Sequence, residues 1–149
     1  NYVHLKVTDL TKSIDFYVDL LGFKTDLVDE DNMAAYLSTE SHHYLLALET
    51  WFAQCLPQSE SQGRDIFHCL IQYPTRKDLA TVYLNLKNAA YPLLNAINLG
   101  VSEVIYLEDP DGNSLELYWD RPKRERPKQP KGIFDRSKPL DLEDLLKAL

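Results

Sequence analysis

The chain has 149 residues, 44% of them hydrophobic, and a formal charge of −7. That length suffices for one well-buried domain, no apolar run approaches a membrane span, and the acidic balance argues against a surface built to neutralise phosphates. Small molecules are therefore the expected ligands.

Cys55 and Cys69 are too few for a disulfide framework; they fit a reducing compartment and read as buried apolar residues. The chain starts at Asn1 without methionine or an apolar leader, so it reads as trimmed, and a cytoplasmic location is the default expectation.

Residues 2–8 alternate, with Val3, Leu5 and Val7 on one face and His4 and Lys6 on the other, which predicts a half-buried strand. Thr8 or Asp9 can cap a following helix whose stripe is Leu10, Ile14, Tyr17 and Leu21, ended by Gly22. Short strands are expected over 23–29, 33–38 and 44–49, separated by polar turns. Residues 54–64 carry Pro57, Gly63 and several Ser and Gln, the composition of a linker.

The order then repeats. Residues 66–73 form a strand carrying His68 as His4 is carried in the first half, and Thr75 with Asp78 starts a helix through a capping box. Leu79, Val82, Tyr83, Leu86 and Ala90 make its apolar stripe, which Pro92 ends, and strands follow over 93–98, 101–107 and 113–119. Asp109-Pro110-Asp111-Gly112-Asn113 is a tight turn, so the last two strands form a hairpin in which Glu116 faces away from Leu115, Leu117 and Trp119. The expected fold class is α+β: paired βαβββ modules, about 1–53 and 65–120, forming one 1–120 domain around an open barrel-like cavity. A basic, proline-rich linker is expected over 121–139, and a short amphipathic helix over 140–149, started by Pro139 or Asp141 and packed on the parent domain or a following module.

His4, His68 and Glu116 each lie opposite the apolar row of their strand, at what look like corresponding points of a duplicated unit. Meeting in one cavity, they would form a two-histidine, one-carboxylate set that leaves metal positions open for substrate and oxidant. Fe(II) is the metal most associated with that set; Zn, Mn, Ni or Co also suit its donors.

His4-Leu5-Lys6-Val7-x-Asp9-Leu10-x-x-Ser13-x-x-Phe16-Tyr17-x-x-x-Leu21-Gly22-Phe23 and Asp109-Pro110-Asp111-Gly112-Asn113-x-x-Glu116-Leu117-Tyr118 resemble the vicinal oxygen chelate superfamily, which includes glyoxalase I, bleomycin-resistance proteins and type I extradiol dioxygenases. Within the match, Phe67-His68, Tyr73-Pro74-Thr75-Arg76-x-Asp78-Leu79-Ala80, Gly100-Val101-Ser102-Glu103 and Asp120-Arg121-Pro122 are similar to the amino-terminal module of bacterial two-module catechol 2,3-dioxygenase-like proteins. The closing Pro139-Leu140-Asp141-Leu142-x-x-Leu145-Leu146 resembles the connector to such a protein's second module, which implies a fragment or a one-module relative. The resemblance implies His4, His68 and Glu116 as metal ligands and Tyr106 as the residue that hydrogen-bonds a bound catecholate. It also implies dioxygen as co-substrate, and either a homodimer or a second module as partner.

Two positions depart from the extradiol pattern: Leu99 stands where a histidine is expected before Tyr106, and Ser41-His42-His43-Tyr44-Leu45 is shorter than the family's histidine run. Two other functions compete with the dioxygenase reading. A glyoxalase-like isomerase or lyase would use a carboxylate from the first half's last strand; Glu49 is the one carboxylate there, but it shares a face with Leu45 and Ala47, and Leu46 matches the ligand position better. A drug-binding protein would use the cavity without chemistry.

Overall fold

The computed structural model describes residues 3–40, 42–50, 68–127 and 137–149. The expected linker at 54–64, with Cys55, and the middle of the expected basic linker lie outside these residues. The chain divides into two compact units, Asn1–Phe67 with Asp109–Asn113, and His68–Glu108 with Ser114–Leu149.

The first unit runs β1 (Val3–Lys6), α1 (Leu10–Asp15), β2 (Lys24–Asp29), β3 (Ala34–Thr39) and β4 (His42–Glu49), in the sheet order β1-β4-β3-β2 with β1 and β4 parallel. Leu5, Val7, Ala35, Leu37, Leu46 and Leu48 are buried beneath the helical segment, while His4, Lys6 and Tyr36 are not. Each leucine so removed from water contributes roughly 1.5–3 kcal/mol, and a one-residue slip would turn the whole apolar set outward, so the alternation fixes the register.

The helical segment departs from expectation. Asp9 caps it as expected, accepting from Lys12 N–H, but α1 passes at Phe16–Leu20 into a π-helical turn with Leu21 N–H bonded to Phe16 O. The wider turn rotates the buried stripe, so Ser13, Phe16, Tyr17 and Leu21 are buried whereas Leu10 and Ile14 are only half-buried. Gly22 ends the segment at φ +79°.

The turn at Asp109–Asn113 belongs to this unit. Asp109, 4% exposed, accepts the backbone N–H of Asp111 and of Asn113, the Asn113 amide and the Tyr17 hydroxyl, the last at 2.8 Å. Asp111 accepts from Thr8 N–H and Thr8 Oγ1. The aspartates that read as turn formers therefore also bind the start of α1 and its buried tyrosine.

The second unit runs β5 (His68–Gln72), α2 (Arg76–Asn88), β6 (Asn95–Asn98), β7 (Ser102–Glu108), β8 (Ser114–Asp120), β9 (Lys138–Pro139) and α3 (Leu142–Leu146), in the sheet order β5-β8-β7-β6-β9. Neither sheet closes on itself. The Thr75/Asp78 capping box forms, and Leu79, Ala80, Val82, Tyr83 and Leu86 are buried. Ala90 is not part of the stripe: the helix stops at Asn88, and Ala90 adopts φ +50° while Tyr91 N–H returns to Leu86 O.

The stretch after Asp120 does more than link. Arg121 lies over the Trp119 ring and bonds Gly100 O and Glu103, and Arg76 bonds both Glu103 and Asp144 of α3. β9 pairs with β6, Asp141 caps α3, and Leu140 and Leu145 are buried in this unit. Among the described residues no helix is long and apolar enough to cross a membrane.

Candidate functional site

Each unit brings one histidine to one glutamate. In the second, His68 pairs in register with Ser114 across the parallel β5–β8 ladder, and Glu116, two residues further on, faces the same way. His68 Nδ1 lies 2.5 Å from Glu116 Oε1, with the side chains 34% and 22% exposed. In the first, His4 pairs with Ala47, and Glu49, again two residues on, meets His4 Nδ1 at 2.6 Å. Here the imidazole is open, with 54% of its side chain exposed, and the carboxylate is enclosed at 12%.

Alternation put Glu49 on the face of Ala47, where it stands; the match of Leu46 to the ligand position is what the structure does not follow. Leu46 is buried on the helix side of the sheet at 1% exposure, while Glu49 shares the face of His4. The folded register shows the relation: the same two-residue offset that joins His68 to Glu116 joins His4 to Glu49.

The histidines, however, do not occupy corresponding points. Val7 N–H bonds Glu49 O in the first unit, and Tyr73 N–H bonds Tyr118 O in the second; each follows the first strand and precedes the helix cap, Asp9 or Thr75. With Val7 laid on Tyr73 and Glu49 on Tyr118, His4 falls on Leu70, Ala47 on Glu116 and Tyr36 on Tyr106. The position matching His68 is residue 2, a tyrosine outside the described residues. The pairing of His with Glu is thus repeated, but displaced by one full pleat between the units.

Around Glu116 the register sets one row across the sheet: Leu70 on β5, Glu116 on β8, Tyr106 on β7 and Asn95 on β6. Burial and the neighbouring Glu116 charge both push the Tyr106 phenol above its ordinary value, so it is a neutral O–H donor near neutral pH. Tyr118, in the next row with Gln72 and Val104, is likewise raised by burial and by Asp120.

Leu99, the substitute for an expected histidine, lies in the β6–β7 turn, where its N–H bonds Ser102 O and Gly100 takes φ +80°. His42 and His43 lie in β4, but their side chains are outside the described set.

Within either unit, no third His, Cys, Asp or Glu among the described residues joins the pair to make a ready metal site. The donor chemistry nevertheless suits a divalent cation, because each unit holds an imidazole nitrogen against a carboxylate oxygen, two donor types such ions take. An open groove of about 420 Å³ in the first unit, bordered by Thr8, Asp9, Val28, Glu30 and Met33, includes neither His4 nor Glu49 and so does not mark this chemistry.

A sequence profile described as the Glyoxalase/Bleomycin resistance protein/Dioxygenase superfamily matches residues 1–117. A catechol-2,3-dioxygenase of Bacillus subtilis (strain 168) is 32% identical over 82% of this chain and 41% of its own length. A biphenyl-2,3-diol 1,2-dioxygenase 3 of Rhodococcus globerulus is 29% identical over 78% of this chain and 60% of its own. The chain therefore spans about half the length of these relatives. A solved glyoxalase/dioxygenase structure from Nostoc punctiforme, 18% identical, superposes over 81% of this chain and 90% of its own with a TM-score of 0.65, which shows a shared fold.

Proposed function

The chain belongs to the Glyoxalase/Bleomycin resistance protein/Dioxygenase superfamily, and from that premise we propose that it is a metal-dependent module of the extradiol type, opening a catechol-like ring with dioxygen. The observation that carries the reading is the row in which Tyr106 flanks Glu116, whose carboxylate is shared with His68. His68 and Glu116 of the second unit would hold the metal, while His4 lies one pleat away from the point that matches His68; Fe(II) is the preferred ion, and Mn, Zn and Ni are the alternatives the donor set admits. The metal, when bound, would supply a shared site for a diol and dioxygen.

The remaining tasks fall to the chain's own side chains. A neutral Tyr106 hydroxyl can donate to one diol oxygen and fix the ring's orientation, which is worth more here than in water because the phenol is partly desolvated. The Glu116 carboxylate can accept the proton released when the diol ionises only if it is not already engaged. In this reading it serves as ligand, and the proton leaves to solvent through the half-open face.

A second reading, a glyoxalase-like isomerase or lyase, is favoured by one observation: Glu49 faces His4, giving the first unit a carboxylate of its own. In that reading Glu49, held beside His4, would be the carboxylate that carries a proton between neighbouring carbons of the substrate.

Anaerobic purification, loading with each ion in turn, and parallel assay of oxygen uptake with catechol and of hemithioacetal isomerisation separate the two. The first reading expects iron-dependent uptake with formation of a yellow ring-opened product, both lost in His68→Ala and Glu116→Ala. Isomerisation without oxygen uptake moves the assignment to the second, with Glu49→Gln inactive. Stoichiometric metal binding that survives His68→Ala would sink both.

A further inference from the structure

We propose that Leu70 is a specificity-determining residue: it supplies the apolar contact for a substituent on the ring, so that alkyl- or aryl-substituted diols are preferred to catechol. The inference rests on the diol-cleaving reading above and goes on to name the substrate class.

Leu70 is 61% exposed on the face that carries His68, Glu116 and Tyr106, and it pairs in register with Glu116 itself. A lone exposed leucine on a protein surface calls for no explanation. This one stands directly beside a carboxylate that is joined to a histidine, on a strand whose other outward residues, His68 and Gln72, are polar. The next row is Gln72, Tyr118, Val104 and Ile97, in which Gln72 is exposed, Tyr118 and Ile97 are half-buried and Val104 is buried. The face therefore sets one exposed apolar side chain, Leu70, directly against the polar group made of His68, Glu116 and Tyr106, with the half-buried Tyr118 and Ile97 in the next row.

Comparison of the units isolates the residue. The position in the first unit that matches Leu70 is His4, and both lie in a row that contains a tyrosine, Tyr36 or Tyr106. The same scaffold position thus holds a titratable group in one unit and a bare isobutyl group in the other. A flat molecule with two adjacent oxygens at one edge and an apolar group at the other satisfies the second arrangement; a charged or strongly polar substituent would lose its hydration against Leu70 without a partner.

Leu70→Thr keeps a strand-forming, outward-facing side chain, so folding is not at issue. Two ratios would be measured in wild type and variant: kcat/KM for 4-propylcatechol over catechol with the iron-loaded protein, and calorimetric affinity for 4-propylphenol over phenol. Wild type should favour the propyl compound in both, and the variant should lose roughly tenfold of each preference, the low end of what one methylene in an apolar contact is worth. Equal ratios in the two proteins, in either measurement, would overturn the proposal. If no diol is turned over by wild type, the diol-cleaving reading fails, and the phenol ratios still decide the role of Leu70.

Discussion

Glu103 is 2% exposed on the helix side of β7, three residues before Tyr106, and its two oxygens are divided between two guanidinium groups. Arg76 Nε lies 2.9 Å from one and Arg121 Nη2 3.2 Å from the other. Removing the acid in Glu103→Ala leaves two largely enclosed cations facing each other without their shared anion, and the loss of one partner of a buried pair costs about 3–5 kcal/mol. Each arginine keeps other contacts, Arg76 with Asp144 and Arg121 with Gly100 O and the Trp119 ring, and each is about a quarter exposed, so the lower end applies. We expect about 3 kcal/mol, read as a shift of the urea midpoint at constant slope, or roughly 6–12 °C in Tm for a chain of this size. Glu103→Gln keeps an acceptor for one arginine and should lose roughly half as much. A loss below about 1 kcal/mol in Glu103→Ala would mean that the two arginines are solvated well enough to need no counterion, and the account of how β7, α2 and the chain after Asp120 are held together would be wrong.

Two other predictions are independent of the site. Ala90 sits at φ +50° after α2, where glycine carries no Cβ penalty, so Ala90→Gly should stabilise the protein by about 0.5–1 kcal/mol in chemical denaturation; destabilisation would show that the methyl group is needed in the turn. Asp144 has a lowered pKa because it accepts from Arg76 and Lys147, so its contribution is present above the ordinary aspartate value and fades as pH falls through the depressed folded value. The stability gap between wild type and Asp144→Asn should therefore be open at neutral pH and close in acid, and a gap that widens on acidification would contradict the pairing.

The repeated βαβββ order, the capping box at Thr75 and the turn at Asp109–Asn113 were legible because each rests on local chemistry: period-two burial, a side-chain cap, and a glycine at φ +82°. The π-turn at Phe16–Leu20 was not, since nothing in the spacing of its apolar residues marks where one extra residue enters the spiral. Ala90 misled for a related reason: its apolar type and spacing fitted the stripe, while the helix had already ended two residues earlier.

Alternation along each strand by itself determined which side of the sheet His4, His68, Glu116 and Tyr106 would take, because successive side chains must point to opposite faces whatever lies across from them. Which residue stands beside which was decided only in the folded sheets. Cross-strand register is set by the packing of the whole apolar layer under each helix, and that layer brought Glu49 to His4, Leu70 to Glu116, and His4 to the position that matches Leu70.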